Sequence, residues 1–222
     1  MMVAQETLWL KVSVPIASFA VPQAREFVES YPFPPPTTVY GMLLSYIGET
    51  DRRAYLGTEL TILVESLPAS NILIRKIRRF KKPDMSNPQN SKPDYQEILT
   101  GLIFYTGVRE RNESGKSLIT LLKRAMQNPE DIIRFGGLSC GESHNLIDQI
   151  NIVENPLNEG KLRDDLWVLA PSSTGEWSVT VWADHVSLSK TNWIQASFTP
   201  VSEGIPDKLF FDITTLSSFN QA

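Results

Sequence analysis

The sequence predicts an α+β chain: a β-α-β-β-α-β core from which a basic β-hairpin protrudes, followed by a small β-rich C-terminal part. Three observations carry this. Two stretches repeat apolar residues at helical spacing. Short runs rich in β-branched and aromatic residues lie before, between and after them. A run of six cations, Arg75 to Lys82, leads into a proline- and asparagine-rich segment and then a second apolar run, the pattern of a hairpin with a polar tip.

LWLKVSVPIASFA, residues 8–20, reads as the first strand. Leu8, Leu10, Val12 and Val14 share one face at period two, with Trp9, Lys11 and Ser13 opposite. Pro15 is expected to end its regular pairing, and VPQAREFVES then reads as an irregular excursion. In YPFPPPTTVYGMLL, residues 31–44, each proline fixes its own φ and biases the residue before it toward extended backbone. The segment from Pro32 to Pro36 is therefore a stiff rod that delivers the chain to a helix over 37–48. Val39, Met42, Leu43, Tyr46 and Ile47 form its apolar stripe, at offsets 0, 3, 4, 7 and 8. Thr37 or Thr38 is expected to cap it and Gly48 to close it. Gly41 costs a helix interior about 1 kcal/mol relative to alanine. Its presence predicts the close approach of another backbone or a ligand.

LTILVESL (60–67) reads as a second strand and NILIRKIRRFKK (71–82) as a third. PDMSNPQNSKPDYQE (83–97) reads as a loop tip, and ILTGLIFYTGVR (98–109) as the returning strand, so the hairpin runs over about 68–108. Residues 116–127 form a second helix, with Leu118, Leu121, Leu122, Ala125 and Met126 on one stripe and Pro129 just beyond. A glycine-rich loop, IIRFGGLSCGESHNLI, leads to a strand at INIVE (150–154). LWVLA, WSVTVWA and NWIQASFT are further short strands before a polar tail. With the hairpin set aside, the first part has the ferredoxin-like order that RNA recognition motifs also use. The division expected is residues 1–155 for this core and 156–222 for the small β-rich region.

Composition narrows the function. Of 222 residues, 41% are hydrophobic and 21% charged, which is ordinary for a globular chain. No apolar run approaches the ~18 residues of a membrane span. The N-terminus lacks the basic-then-apolar pattern of a signal peptide. Cys140 is the one cysteine, so no intrachain disulfide forms and a reducing cytoplasm is expected. With His144 and His185 the only histidines, a Cys/His zinc site is close to excluded, and no cofactor is expected. The net charge is −4, yet Ser66–Pro83 contains no acid and holds Arg75, Lys76, Arg78, Arg79, Lys81 and Lys82.

Several constellations compete for a chemical role. ESGKS, 113–117, looks like the end of a phosphate-binding loop, but the glycine that motif needs five residues before Gly115 is Glu110. A polar turn with Ser114 or Ser117 as helix cap is the plainer reading. Cys140 and His144 stand four apart in a glycine-rich loop, without an evident third group for nucleophilic catalysis. His144 with Tyr40 or Tyr46 and a lysine would suit acid-base cleavage of RNA. His185 reads as a strand-end residue. The basic run is unbalanced by acids, is interleaved with Ile77 and Phe80, and sits on a protruding hairpin. These features favour grip on a single nucleic-acid strand over mere solubility. GGLSCGES, 136–143, lets backbone amides approach phosphate closely.

These residues resemble a known family. YPFPPPTTVYGMLL, a proline rod entering a helix with an early glycine, is similar to the N-terminal region of CRISPR-associated proteins of family five. VSVPIASFAVPQAREF resembles that family's first strand and loop, with Phe19 and Arg25. FGGLSCGESHNLI resembles its glycine-rich loop after the second helix, and RKIRRFKKPD with SKPDYQEIL resembles its thumb hairpin. The likeness covers most of residues 8–154; the last third matches only in being β-rich, and the chain looks nearest to subtype B relatives.

The resemblance implies an RNA-recognition-like core of the repeat-associated type. It implies a subunit that caps the 5′ handle of the guide RNA in a type I Cascade complex. Arg75, Lys76, Arg78, Arg79, Lys81, Lys82 and Lys92 would meet RNA on the thumb. Arg25, Tyr40, Gly41 and the loop bearing Gly137, Ser139 and His144 would face the handle. Implied partners are the backbone subunit of Cas family seven, the large PAM-reading subunit of family eight and the repeat-processing ribonuclease of family six, with target DNA met indirectly. One branch of the family cleaves precursor RNA with a histidine that follows a lysine. Here His144 follows Ser143 and His185 follows Asp184, so a non-catalytic binder is expected. A metal-independent endoribonuclease using His144 and a protein-only scaffold are the alternatives.

Overall fold

The computed structural model describes residues 6–22, 24, 27–78, 81–111, 117–158 and 165–215, and only the backbone of Lys76, Ile77, Arg78, Lys92 and Leu188. Arg25 and Arg79 lie outside the described residues. The described strands form one ten-stranded, mostly antiparallel sheet with two α-helices, an α+β arrangement. Its central path begins with β1 (Leu8–Ala17), β3 (Thr58–Val64), β5 (Ser91–Glu110) and β6 (Gln149–Val153). They stand side by side in the order β6-β1-β5-β3, each antiparallel to its neighbour. The sheet continues from β3 through β7 (Trp167–Pro171), β9 (Asn192–Pro200) and β8 (Trp177–Trp182). A two-residue strand, β10 (Phe211–Asp212), pairs β3 on its own account.

The period-two alternation of β1 is realised as written. Leu8, Leu10, Val12 and Val14 are buried in the main core with Leu60, Ile62 and Val64 of β3 and Leu102, Phe104 and Val108 of β5. Trp9, Leu63 and Tyr105 lie on the reverse face with Leu166, Val168 and Ala170. Each fully buried side chain of this size contributes about 1.5–3 kcal/mol of burial. Pro15 does not end the strand. Pairing skips it and resumes at Ile16↔Thr100 and Ala17↔Leu99, because a missing N–H on an exposed residue costs the ladder one bond only. The excursion after β1 includes β2 (Phe27–Val28), parallel to Tyr95 and Gln96 of β5.

Helix α1 (Pro36–Tyr46) starts without a threonine cap. Pro35 is the N-cap, extended at φ −60° and ψ 150°, and Pro36 occupies the first turn, where a missing N–H is no loss. Gly48 closes the helix at φ +73°, with Gly48 N–H donating to the Ser45 carbonyl and Glu49 N–H to the Leu44 carbonyl. A Cβ at Gly48 would also run into the Ile133 carbonyl oxygen. The proline rod is a packed element. Phe33 is enclosed, 5.5 Å from the Tyr31 ring, 5.4 Å from Trp177 and 4.7 Å from Phe198. Helix α2 (Leu118–Gln127) is capped by Ser117, whose hydroxyl accepts from Thr120 N–H. Glu110 accepts from Ile119 N–H at 2.8 Å and reinforces that start. Neither helix is long and apolar enough to cross a membrane, and no other described helix is.

The second strand of the hairpin begins seven residues before the apolar run does. β4 (Ala69–Arg78) pairs with β5 in unbroken register from Ala69↔Thr100 to Arg78↔Ser91. Both faces of this hairpin meet solvent: Ile72 and Ile74 are 64% and 66% exposed on one side, and Leu73 is exposed on the other.

Candidate nucleic-acid interface

The glycine-rich loop is built by its backbone. Cys140 N–H donates to the Asn145 carbonyl at 3.0 Å, Asn145 N–H to the Glu142 carbonyl at 2.9 Å, and Ile147 N–H to the Leu138 carbonyl at 3.0 Å. Ser139 bridges to Leu146. Gly141 sits at φ +99°, and a Cβ there would lie 2.9 Å from the Ser18 carbonyl oxygen. Only glycine meets both demands. Asn145 is buried, and in the amide orientation that satisfies its surroundings its oxygen accepts from Ser18 N–H at 2.9 Å. The loop is thereby pinned against the end of β1.

Three stretches far apart in the chain share one cleft of about 250 Å³. Ser18 comes from the end of β1, Pro35 and Thr38 from the rod and helix start, and Gly141 and Glu142 from the glycine-rich loop. Trp193 of β9 adds an indole that is 42% exposed. An exposed aromatic face beside backbone amides suits an unpaired base and its phosphate. Thr38 N–H and Val39 N–H are already taken by the Pro35 carbonyl, at 2.9 and 3.1 Å.

The middle of the hairpin adjoins this cleft. Arg75, on β4, is half-buried with its guanidinium Nη1 3.4 Å from Glu142 Oε2, and His144 Nε2 is 3.4 Å from the same oxygen. Gln96, on β5, donates to Glu142 Oε1 and to Ser18 Oγ. At the far end, the Lys81 and Lys82 side chains are exposed while both N–H groups donate to Asn90 Oδ1 at 2.9 Å. The buried Asn90 amide returns hydrogen bonds to the Lys82 and Asp84 carbonyls, so one side chain ties the tip together. Lys76, Arg78 and Lys92 hold ladder positions on this hairpin, opposite Pro93, Ser91 and Ile77.

Gly137 and His144 are exposed and Ser139 is half-buried, all on the pinned loop. Tyr40 requires correction: it is 0% exposed, its hydroxyl donates to the Arg52 carbonyl at 2.9 Å, and burial pushes its phenol up to about 12. It is a core residue with no face to offer a ligand. At Gly41 the close approach of another backbone is absent: a Cβ added there would meet no described protein atom outside its own helix turn within 4 Å. Gly41 lines a different cleft, of about 470 Å³, with Leu44, Gly48 and Phe135. Burial also pushes the Cys140 thiol up to about 12, which removes it as a nucleophile. Trp193, Gln96 and Asn90 join the candidate interface from outside the basic run and the glycine-rich loop, and Glu142 joins it from within GGLSCGES.

A family model described as CRISPR-associated protein (Cas_Cas5) matches residues 7–182. The CRISPR-associated protein Cas5 of Myxococcus xanthus (strain DK1622) is 36% identical over 188 residues, covering 83% of this chain and 86% of that protein. Among solved structures, a chain of a CRISPR RNA-guided surveillance complex superposes with a TM-score of 0.63 at 12% identity, covering 88% of this chain and 90% of its own. A crystal structure of a Cas protein gives a TM-score of 0.51 at 17% identity, over 87% and 93% of the two chains. These two share the fold. The family match reaches across the proline rod, the hairpin and the glycine-rich loop, and with the bacterial relative it shows that the chain belongs to the CRISPR-associated Cas5 family.

Proposed function

We propose that the chain is a non-catalytic guide-RNA-binding subunit that caps the 5′ handle of CRISPR RNA in a type I surveillance complex. The observation that carries this reading is the convergence beside the middle of the hairpin. A cation-bearing strand and a backbone-built glycine loop, distant in sequence, meet through Arg75 and Glu142 beside an exposed tryptophan. The strand order β6-β1-β5-β3 supports reading the core as ferredoxin-like, and the open β4–β5 pair supports reading the hairpin as a thumb. Likeness to a surveillance-complex chain supports assembly with other subunits, for which Cas families seven, eight and six are the candidates, in the cytoplasm. The burial of Tyr40, which removes one acid-base partner from His144, supports a binder over a ribonuclease.

The test reads binding and cleavage of a labelled CRISPR repeat RNA in the same tubes, without added metal. Wild type is compared with His144→Ala and with a Lys81→Glu, Lys82→Glu double variant. Binding without cleavage, weakened in the double variant, is the expected result. The salt dependence should flatten by about 0.7 in log–log slope for each phosphate that is no longer neutralised. Cleavage that disappears in His144→Ala would establish the ribonuclease instead. RNA affinity untouched by the double charge reversal would point to a protein-only scaffold.

A further inference from the structure

Three donors from three stretches surround a single carboxylate beside the middle of the hairpin. Arg75 Nη1 and His144 Nε2 each lie 3.4 Å from Glu142 Oε2, and the Gln96 amide donates to Glu142 Oε1. A guanidinium offers five N–H groups in a fork that matches carboxylate or phosphate two at a time. Glu142 engages this one through a single nitrogen. Arg75 Nε is buried without a partner. The donor set is therefore larger than its present ligand uses, and buried polar groups are seldom left so.

Nor is the Glu142 side chain what shapes the loop. The turn is closed by its backbone carbonyl, which accepts from Asn145 N–H at 2.9 Å, and by the Cys140–Asn145 and Ile147–Leu138 bonds. Removing the carboxylate leaves all of these in place. Glu142 also lines the cleft that holds Trp193, so the cluster adjoins that cleft.

We propose that Arg75, Gln96 and His144 form a phosphate-binding site, and that Glu142 is the chain's own stand-in for the phosphate, displaced when an RNA backbone enters. The source of the phosphate rests on the RNA-binding reading above; the site itself rests on this geometry alone. A carboxylate held in place keeps Arg75 oriented and desolvated before the RNA arrives. It also sets a threshold, because weak or nonspecific anions must compete with an internal one.

The test uses the full chain as wild type, Glu142→Gln, Arg75→Ala and the double variant. Two probes are applied: inorganic pyrophosphate, read by thermal shift, and single-stranded CRISPR repeat RNA, read by filter binding across salt. Glu142→Gln should respond more strongly to pyrophosphate than wild type. It should also bind RNA on the order of tenfold more tightly, close to the scale of one like charge removed at contact distance in water. Arg75→Ala should erase both gains. Glu142→Ala, which leaves no acceptor, is run beside Glu142→Gln and must move in the same direction. If both Glu142 variants lose RNA affinity as Arg75→Ala does, or leave it unchanged while wild type binds, the stand-in idea fails and the RNA reading survives. If pyrophosphate responds as expected but no variant binds RNA, the phosphate site stands and the RNA reading falls.

Discussion

The two halves of β5 are one continuous strand in two environments. From Leu99 onward it pairs with β1, and from Phe104 with β3 as well, with Leu102, Phe104 and Val108 enclosed in the main core. Before that, from Ser91 to Ile98, its long pairing is with β4; the face bearing Ile72 and Ile74 stands open to solvent, while on the other Asp94 and Gln96 are buried through polar contacts rather than in the apolar core. The inner half is fixed by burial and can vary little in shape. The outer half is held by ladder hydrogen bonds and a few polar ties, so its side chains are free to be chosen for what they touch. Cations, exposed isoleucines and a polar tip collect there for that reason.

The largest test of this contrast is a pair of truncations. Phe104→Ala should cost about 3–5 kcal/mol of unfolding free energy, the usual range for a fully enclosed phenylalanine. Ile74→Ala, on the open hairpin, should cost under about 0.5 kcal/mol. Chemical denaturation of both variants reads the difference. A loss at Ile74 comparable to that at Phe104 would mean the hairpin is packed against the core, and the contrast would be wrong.

A smaller effect is expected at the tip. Asn90→Ala removes the acceptor of the Lys81 and Lys82 N–H groups and the donor to two carbonyls. About 1–3 kcal/mol of local stability should go with it. Hydrogen exchange at Lys81 and Lys82 should accelerate while the amides of the inner half of β5 keep their protection. Global melting that falls in step with the tip would join the two halves into one cooperative unit.

The contrast also explains what could be read from the sequence. Strand β1, both helices and the inner half of β5 were legible because burial imposes a period on the residues themselves. The outer half before Ile98 was not, since SKPDYQE carries proline and polar residues and becomes a strand only because β4 lies beside it. Tyr40 misled for a related reason. It lies outside the single stripe expected of a helix, but α1 is covered by β3, by β8 and by α2, so Tyr40, Met42 and Leu44 are buried together. The threonine cap failed because two prolines already set the helix start. In the candidate site, the glycine loop and the basic run were legible as composition. Glu142, Gln96, Asn90 and Trp193 were not, because each owes its role to residues that only folding brings near.

The inner end of the sheet gives the smallest and sharpest test, since charge there is placed against burial. Glu59, on β3, is buried opposite Asp212 of β10, and the Arg111 guanidinium reaches both carboxylates, 3.3 Å from Asp212 Oδ1. Burial first, and the neighbouring Asp212 second, raise the Glu59 carboxyl above its ordinary 4.5. A carboxyl raised in the folded state adds stability while protonated, below 4.5, and loses it as pH rises through the folded value. Glu59→Gln, close in shape to the protonated acid, should therefore match wild type below about 4.5 and become progressively the more stable of the two toward neutrality. Urea midpoints across that range decide it. A difference that stays constant, or that favours wild type more as pH rises, would mean that Arg111 outweighs burial and that this end of the sheet is held by its ion pairs.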